Sequence, residues 1–298
     1  MRNTLKGLLF ASPWLIGFLG LTLYPIVMSF YYGFTSFNAF QPPKFVGLDN
    51  YTELFHDDLF WKSMRNTLFI TLLGTPLNLA FALLAALLLN LKVRGMAAYR
   101  TLFYMPTIVP IAASTLLWIW ILNGQYGLLN TLLSKLGLYA PSWLGDPVYT
   151  KPSLLIMGVW AVGNVIVIFL AALQDVSAAL YEAAEIDGAS TLRKFFHITL
   201  PGISPIILFQ LIMQLINGFQ YFSQAYLVIG SSGGLNGAQI GGPENSLLLY
   251  AVYLYHNAFY YLKMGKASAM AWLMFICVGV VTWAVFKGAK KLVTYGGE

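Results

Sequence analysis

Charged residues are scarce in this sequence. Asp, Glu, Lys and Arg make up 9% of its 298 residues, whereas an ordinary soluble domain has about 25%. Hydrophobic residues, in contrast, make up 58% of the chain. This composition excludes an ordinary soluble domain and predicts an integral membrane protein.

Cysteine is almost absent, and the histidines are too scattered to form a site. Cys277 is the only cysteine, so neither an internal disulfide nor a thiolate metal site can form. His56, His197 and His256 are far apart and show no ligand spacing such as HExxH. Within its apolar stretches the chain has neither a GxSxG elbow nor paired carboxylates. We therefore expect no metal site and no catalytic residues.

Nucleotide and nucleic-acid signatures are missing as well. No GxxxxGK[ST] phosphate loop occurs, so the chain should not hydrolyse ATP itself. The glycine-rich run 233–237 has the wrong spacing and is typical of a flexible outer loop. The net charge is +6, but the Lys and Arg residues form no basic stripe with interleaved aromatics. We expect neither an enzyme nor a nucleic-acid-binding protein.

The most prominent feature of the sequence is a set of long uncharged stretches. About 20 apolar residues cross a bilayer, and six stretches reach that length: 8–32, 66–90, 101–122, 152–174, 203–229 and 267–286. The first lacks a cleavage pattern and is expected to be retained. Prolines within the stretches, such as Pro106 and Pro110, are interpreted as kinks and not as boundaries. The sequence predicts an all-α, polytopic membrane protein with six transmembrane helices in a single domain, 1–298.

The distribution of Lys and Arg predicts the orientation of the helices. With a cytoplasmic amino terminus, ten basic residues lie inside: Arg2, Lys6, Lys92, Arg94, Arg100, Arg193, Lys194, Lys287, Lys290 and Lys291. Seven lie outside: Lys44, Lys62, Arg65, Lys135, Lys151, Lys263 and Lys266. Basic residues favour the cytoplasmic side, and the inner ten occupy shorter loops. Both termini and the loop 175–201 are therefore predicted to be cytoplasmic.

The absence of ionisable residues inside the six stretches argues against a proton-coupled carrier.

The fifth stretch carries a polar stripe. Its members are Gln210, Gln214, Asn217, Tyr221 and Gln224. Intervals of four, three, four and three residues place these side chains on one face of a helix. Neutral amides and an aromatic ring suit an uncharged, polyhydroxylated ligand, although buried amides also cross-link helices. In the fourth stretch, Trp160 and Asn164 are further candidates for binding the substrate.

A shorter apolar piece, 247–262, follows the glycine-rich run. It has 16 residues and is interrupted by His256 and Asn257. That is too short and too polar for a seventh crossing. We interpret it as a helix that lies at the outer face or dips partway into the membrane.

Charge is concentrated between the fourth and fifth stretches, in the segment Glu182–Pro201, which reads EAAEIDGASTLRKFFHITLP. Its charges predict a water-exposed loop, and its composition predicts a short helix, a sharp turn at Gly188 and a second helix. The spacing from Glu182 to Pro201 resembles the EAA loop in the membrane subunits of ATP-driven importers. Phe45–Tyr51 (FVGLDNY) resembles a signature of carbohydrate-importer permeases, although a simple turn explains its composition equally well. Met264–Ala269 also resembles the pattern of that family.

The resemblance is to the maltose-type permeases of bacterial ATP-binding-cassette (ABC) importers, and it covers essentially the whole chain. It implies a second homologous permease subunit, two ATPase subunits that bind ATP and magnesium, an extracytoplasmic solute-binding protein and a location in the inner membrane. It implies that the helix after the EAA loop lines a sugar site. It also assigns coupling to the ATPase to five residues of the loop: Glu182, Ala183, Ala184, Asp187 and Gly188.

The sequence alone is compatible with other functions. Related permeases carry other polyols or glycerol phosphates, so the importer class is better supported than the sugar. A stand-alone channel or facilitator and a membrane-embedded enzyme are the rivals from other classes. The segment Glu182–Pro201 argues against both, since neither needs a docking loop of that spacing.

Overall fold

The computed structural model describes residues 2–231 and 240–289, and within them the chain is mostly helical. The predictions for residues 233–237, Lys290 and Lys291 lie outside the described residues. The α-helices are α1 (Arg2–Gly17), α2 (Tyr24–Tyr32), α3 (Asp49–Phe55), α4 (Asp58–Leu89), α5 (Met96–Ile108), α6 (Ile111–Ile121), α7 (Leu128–Lys135), α8 (Pro147–Trp160), α9 (Gly163–Asp175), α10 (Ala178–Ile186), α11 (Thr191–Lys194), α12 (Leu200–Gly202), α13 (Ser204–Phe219), α14 (Ser223–Ser231), α15 (Tyr250–Tyr255) and α16 (Met264–Ala289).

Short irregular elements complete the chain. The π-helical segments are Phe18–Leu23, Phe195–Thr199 and His256–Tyr260, and Pro243–Asn245 forms a 3-10 turn. Two short strands, β1 (Thr35–Ser36) and β2 (Lys44–Phe45), pair antiparallel, with Thr35 opposite Phe45. The prediction of an all-α membrane protein is confirmed.

Four helical stretches are long and apolar enough to cross a membrane without a sharp bend: Leu9–Tyr32, Asp58–Leu89, Ser204–Ser231 and Met264–Ala289. Two further pairs of helices, α5 with α6 and α8 with α9, qualify only if each bent pair counts as one span. The described residues therefore contain four to six spans, and the predicted six corresponds to counting each bent pair once.

The bent pairs correct the prediction that the prolines only kink the helices. At Pro110 the chain bends by 100° between α5 and α6. Val109, which precedes this proline, is extended with ψ 128°, because the proline ring disfavours the helical conformation of its predecessor. Pro110 is therefore a helix boundary. A second bend of 48° separates α8 from α9 at residues 161–162.

The chain was expected to form one domain, and it groups into two compact units. Within the described residues, the first unit contains 2–61 and 253–277, and the second contains 62–231, 240–252 and 278–289. The core of the second unit joins small residues of α4, including Ala82 and Ala86, to larger residues of α9 such as Phe169. Alanines permit the close approach of helices that packing in lipid requires.

The apolar piece 247–262 is buried in protein at its start and exposed at its end, residues 259–262. In the second unit, residues 247–250 are almost completely inaccessible. Their irregular backbone is satisfied by α4, because Asn66 Nδ2 donates to the carbonyls of Asn245 (2.9 Å) and Leu248 (3.0 Å). Thr67 Oγ1 accepts from the Tyr250 N–H at 2.8 Å. Non-helical backbone is tolerated at membrane depth only when it is paired in this way.

In the first unit, the FVGLDNY segment ties the strand region together. Gly47 has φ +61°, which allows the turn that precedes α3. Asn50 Nδ2 donates to the carbonyls of Gly33 and Thr35, both at 2.9 Å. Gly265 lies so close to this region that a Cβ atom would overlap the Thr35 carbonyl oxygen. The two sequence patterns that resemble the family thus meet in one structural contact.

An ion cluster around a buried lysine lies beside this contact. The Lys266 side chain is 6% exposed, and its Nζ lies 3.0 Å from both Glu53 Oε1 and Asp57 Oδ2. Tyr253 OH also donates to Asp57 Oδ2. Burial alone would raise the pKa values of both carboxyls, but hydrogen bonds and the Lys266 charge outweigh it and lower them. The cluster therefore stabilises the fold above the ordinary pKa of a carboxyl group.

Replacing Lys266 with methionine is expected to destabilise the protein by about 1–3 kcal/mol at neutral pH, because it leaves the partly buried Asp57 without its cation. The wild type should lose this advantage as the pH falls below about 4.5 through the lowered carboxyl pKa values. The measurement is the thermal unfolding midpoint between pH 7 and pH 3. Lys263→Met is the matched control, because Lys263 pairs with the same Glu53 but is 55% exposed. Equal losses in the two variants would contradict a special role for the buried lysine.

Candidate functional site

The second unit contains a cavity of about 720 Å³ that is lined by both polar and apolar residues. Its walls come from α4, α8, α9, α13, α14 and the start of α6. Its polar lining residues are Thr71, Thr75, Asn78, Asn164, Gln210, Gln214, Asn217, Gln220, Tyr221, Ser223 and Gln224. Among the described residues, the lining includes no Asp, Glu, Lys, Arg or His. Such a cavity can exchange hydrogen bonds with a ligand but offers it no counter-charge.

A break in the fifth span changes the geometry of the predicted stripe. Helix α13 ends at Phe219 and α14 begins at Ser223, so only Gln210, Gln214 and Asn217 share one continuous helical face. Tyr221 lies in the break and Gln224 on the second helix. All five side chains nevertheless line the cavity. The stripe therefore reaches the cavity from two helices and from the break between them.

The structure places the two candidate residues of the fourth span in different surroundings. Asn164 on α9 lines the cavity. Trp160, the last residue of α8, is not among the lining residues and packs edge-on against Trp118, with ring centroids 6.0 Å apart. The bend between α8 and α9 lies between the two residues. A role for Trp160 in binding stays a prediction that this packing does not support.

Sequence reasoning missed the wall that α4 provides. Thr71, Thr75 and Asn78 line the cavity from this helix. With Thr67 they follow one another at intervals of four, four and three residues, which places them on one helical face. This periodicity of polar residues in an apolar span was visible in the sequence and was the signal that could have found them.

The loop between the fourth and fifth spans ends its first helix with a well-defined cap. Gly188 adopts φ +72°, which a glycine enters without a steric penalty. Its N–H donates to the Glu185 carbonyl at 3.0 Å, and the Ala189 N–H donates to the Ala184 carbonyl at 2.9 Å. This pair of bonds is a Schellman motif, which stops a helix sharply. The predicted turn at Gly188 is present.

The second arm of the loop is held against the first. Ser190 caps α11 by accepting from the Arg193 N–H at 3.4 Å. Lys194 Nζ lies 2.8 Å from Glu185 Oε1, and this bond lowers the pKa of the exposed Glu185 carboxyl. Tyr181 OH and Thr199 Oγ1 share a hydrogen bond of 2.9 Å. The loop is thus a closed helix–turn–helix unit.

The surface of this unit is open to a partner. Glu182, Ala183, Asp187 and Gly188 are exposed, and Ala184 is partly buried. Large apolar side chains stand beside them, with Ile186 89% exposed. Exposed apolar surface rimmed by polar residues marks interaction sites. In the described part of the chain, no group of three His, Cys, Asp or Glu residues is placed to hold a metal ion.

Comparison with known proteins identifies the class of this chain. Residues 78–289 match the protein family described as "Binding-protein-dependent transport system inner membrane component". The "Probable ABC transporter permease protein YesP" of Bacillus subtilis strain 168 is 41% identical over 99% of this chain and 93% of its own length. The "Sulfoquinovosyl glycerol transport system permease protein SmoG" of Agrobacterium fabrum strain C58 is 32% identical over 94% of this chain and 90% of its own.

A solved structure shares the fold. It is the crystal structure of a bacterial alginate ABC transporter in complex with an alginate pentasaccharide-bound periplasmic protein. One of its chains aligns with a TM-score of 0.79 at 23% identity, covering 99% of this chain and 98% of that one. Together with the matched family and the apolar helices, these similarities show that the chain belongs to the multi-pass inner membrane components of binding-protein-dependent transport systems, the permease subunits of ABC transporters.

Proposed function

We propose that this chain is the permease subunit of an ATP-driven importer that moves an uncharged sugar or oligosaccharide by alternating access. The observation that carries the substrate class is the cavity of about 720 Å³ with uncharged polar residues in its lining, a size typical of ligand sites. Amide and hydroxyl side chains pair with sugar hydroxyls as donors and as acceptors. The names of the similar permease and transporter support a carbohydrate substrate, but sulfoquinovosyl glycerol and alginate are both acidic, so the neutral charge is inferred from the cavity alone.

The lack of cationic residues in the described cavity lining argues against the alternative substrate, a glycerol phosphate. An anion that enters a partly dry cavity loses hydration and needs a cation or several aligned donors to replace it. In the part of the chain that the structure describes, the lining residues include no Lys, Arg or His. A neutral ligand has no such requirement. We therefore favour a neutral carbohydrate over a phosphorylated polyol.

We further propose that the loop around Gly188 docks onto an ATPase subunit. The exposed side chains of Glu182, Ala183 and Asp187 form its contact surface, and the partly buried Ala184 supports them. The sequence has no phosphate loop, so ATP and magnesium are assigned to two partner ATPase subunits. A second homologous permease completes the membrane part, and an extracytoplasmic binding protein delivers the sugar.

The function is tested by uptake into proteoliposomes that contain the assembled importer. We expect uptake of a radiolabelled neutral disaccharide to require both ATP and the binding protein. Galactobiose and its dicarboxylate analogue digalacturonate form a matched pair that differs in charge. Uptake is measured separately for each of the two sugars. Uptake that persists without ATP would instead support a channel or facilitator.

The orientation is tested by topology reporters. Fusions placed after Glu298 and within residues 33–65 are expected to report opposite sides of the membrane, with the carboxyl terminus in the cytoplasm. The excess of Lys and Arg in the short inner loops is the reason. A third fusion after Pro201 should agree with the terminal one. Signals from the same side at Glu298 and within 33–65 would contradict six crossings.

A further inference from the structure

Three buried polar atoms beside the cavity have no hydrogen-bond partner within the described part of the chain. They are Thr71 Oγ1, Asn78 Oδ1 and Tyr221 OH, and all three residues line the cavity. Buried polar atoms in folded proteins are almost always paired, so each exception needs an explanation. Tyr221 belongs to the predicted stripe, whereas Thr71 and Asn78 lie on α4 and have no assigned role.

The two α4 residues share one face of the helix. Seven residues separate them, which corresponds to about two turns. Glycines of the neighbouring helices lie beside both side chains. A Cβ atom at Gly218 would lie 2.9 Å from Thr71 Oγ1, and one at Gly158 would lie 3.7 Å from Asn78 Oδ1. Thr71 therefore stands directly against α13, next to Asn217 of the stripe.

Thr71 and Asn78 therefore bring unpaired polar atoms to the cavity from α4. Thr71 offers a hydroxyl group, Asn78 offers an amide oxygen, and neither carries charge. A membrane protein that only needed packing at these positions would gain from apolar side chains, because an unpaired polar atom is costly to bury. The polar atoms are explained if a ligand pairs with them during part of the transport cycle.

We propose, resting on the proposed function above, that Thr71 and Asn78 form a second wall of the carbohydrate site. Their polar atoms exchange hydrogen bonds with hydroxyl groups of a neutral sugar held opposite the amides of α13. The second wall makes α4 a contributor to substrate specificity as well as a structural helix.

Near-isosteric variants separate this role from packing. Thr71→Val and Asn78→Leu remove the unpaired atoms and keep most of the side-chain volume. In the sugar-free importer, the thermal unfolding midpoint should stay the same or rise, because no bond is lost. The KM for sugar uptake should rise about tenfold in each variant, since a sugar hydroxyl then loses its partner. The expected result is therefore an unchanged or higher unfolding midpoint together with a higher KM for sugar uptake.

Thr67→Val is the matched control. Thr67 lies one turn before Thr71 on the same helix, and its Oγ1 accepts from the Tyr250 N–H. This variant should lower the unfolding midpoint and leave the KM unchanged. Thr71→Ser, which keeps the hydroxyl group, should keep a KM close to that of the wild type.

The measurements use the assembled importer with its binding protein and a panel of radiolabelled galactobiose, arabinobiose, cellobiose and N,N′-diacetylchitobiose. KM values are compared for the panel sugar that the wild type takes up best. An unchanged KM in both Thr71→Val and Asn78→Leu would overturn the second wall and leave the proposed function intact. Absence of ATP-dependent wild-type uptake for every panel sugar would overturn both.

Discussion

Replacing Gly188 with valine is expected to reduce transport at least tenfold while ATP hydrolysis continues and the permease stays in the membrane. Gly188 adopts φ +72°, a conformation that costs a residue with a Cβ atom roughly 1–2 kcal/mol, and β-branching adds to the strain. Space is not the obstacle, because no heavy atom lies within 4 Å of the position of a Cβ atom. The effect should arise from the backbone alone.

The cap explains why backbone strain at Gly188 should affect coupling. If residue 188 leaves the left-handed region, the bonds to the Ala184 and Glu185 carbonyls are lost together. The helix would then fray at the end that carries Asp187, and a frayed helix cannot transmit displacement as a rigid body. The proposed docking surface would lose its shape.

Asparagine provides the matched control at this position, because it tolerates the left-handed conformation better than other residues with a side chain. Gly188→Asn should therefore retain most of the transport activity. The measurements are membrane content, ATPase rate and sugar uptake for the wild type and both variants. Normal uptake by Gly188→Val would contradict the coupling role of the turn.

Removing the polar stripe one residue at a time is expected to weaken sugar transport. Gln214→Ala, Asn217→Ala and Tyr221→Ala each leave a sugar hydroxyl unpaired in the cavity. The expected loss is about 1–3 kcal/mol, or roughly ten- to a hundredfold in apparent affinity. Tyr221→Phe should share much of the loss if the hydroxyl group binds sugar, and little of it if the ring provides most of the contact.

A nearby apolar residue distinguishes binding from general damage. Leu215 lies on the same helix between Gln214 and Asn217, but it is buried and is not among the lining residues of the cavity. Leu215→Ala should lower stability and leave the KM unchanged. Uptake is measured against sugar concentration after assembly has been confirmed. Unchanged KM values in all three stripe variants would show that the amides only cross-link helices, and the site would have to be sought on the third and fourth spans.

Much of the fold was predictable from the sequence because a bilayer constrains it so strongly. A span needs a fixed length of apolar side chains and internally paired backbone, and both requirements leave a pattern in composition. The loop around Gly188 was predictable for a similar reason, since its cap depends on residues close together in the chain. A kink at Pro110 was predicted but the full break was not, because a proline within an apolar stretch is compatible with either.

Only some of the residues that line the cavity could be predicted from the sequence. A periodic stripe on the fifth span predicted Gln210, Gln214 and Asn217 on one face, and the structure places all three at the cavity. The path of the stripe beyond Phe219 depends on the break before α14, which no local pattern indicated. Thr71 and Asn78 were missed because polar residues in a largely apolar helix are equally compatible with packing.

The sequence by itself determined the membrane class, the apolar stretches, the capped loop and the resemblance to importer permeases, since each depends on composition or on short spacing along the chain. Only the tertiary structure decided which polar residues share a cavity, which ones, like Asn66, satisfy irregular backbone, and which ones, like Lys266, are buried in an ion cluster. The physical reason is that these roles depend on distances between segments far apart in the chain, and those distances are set by helix packing.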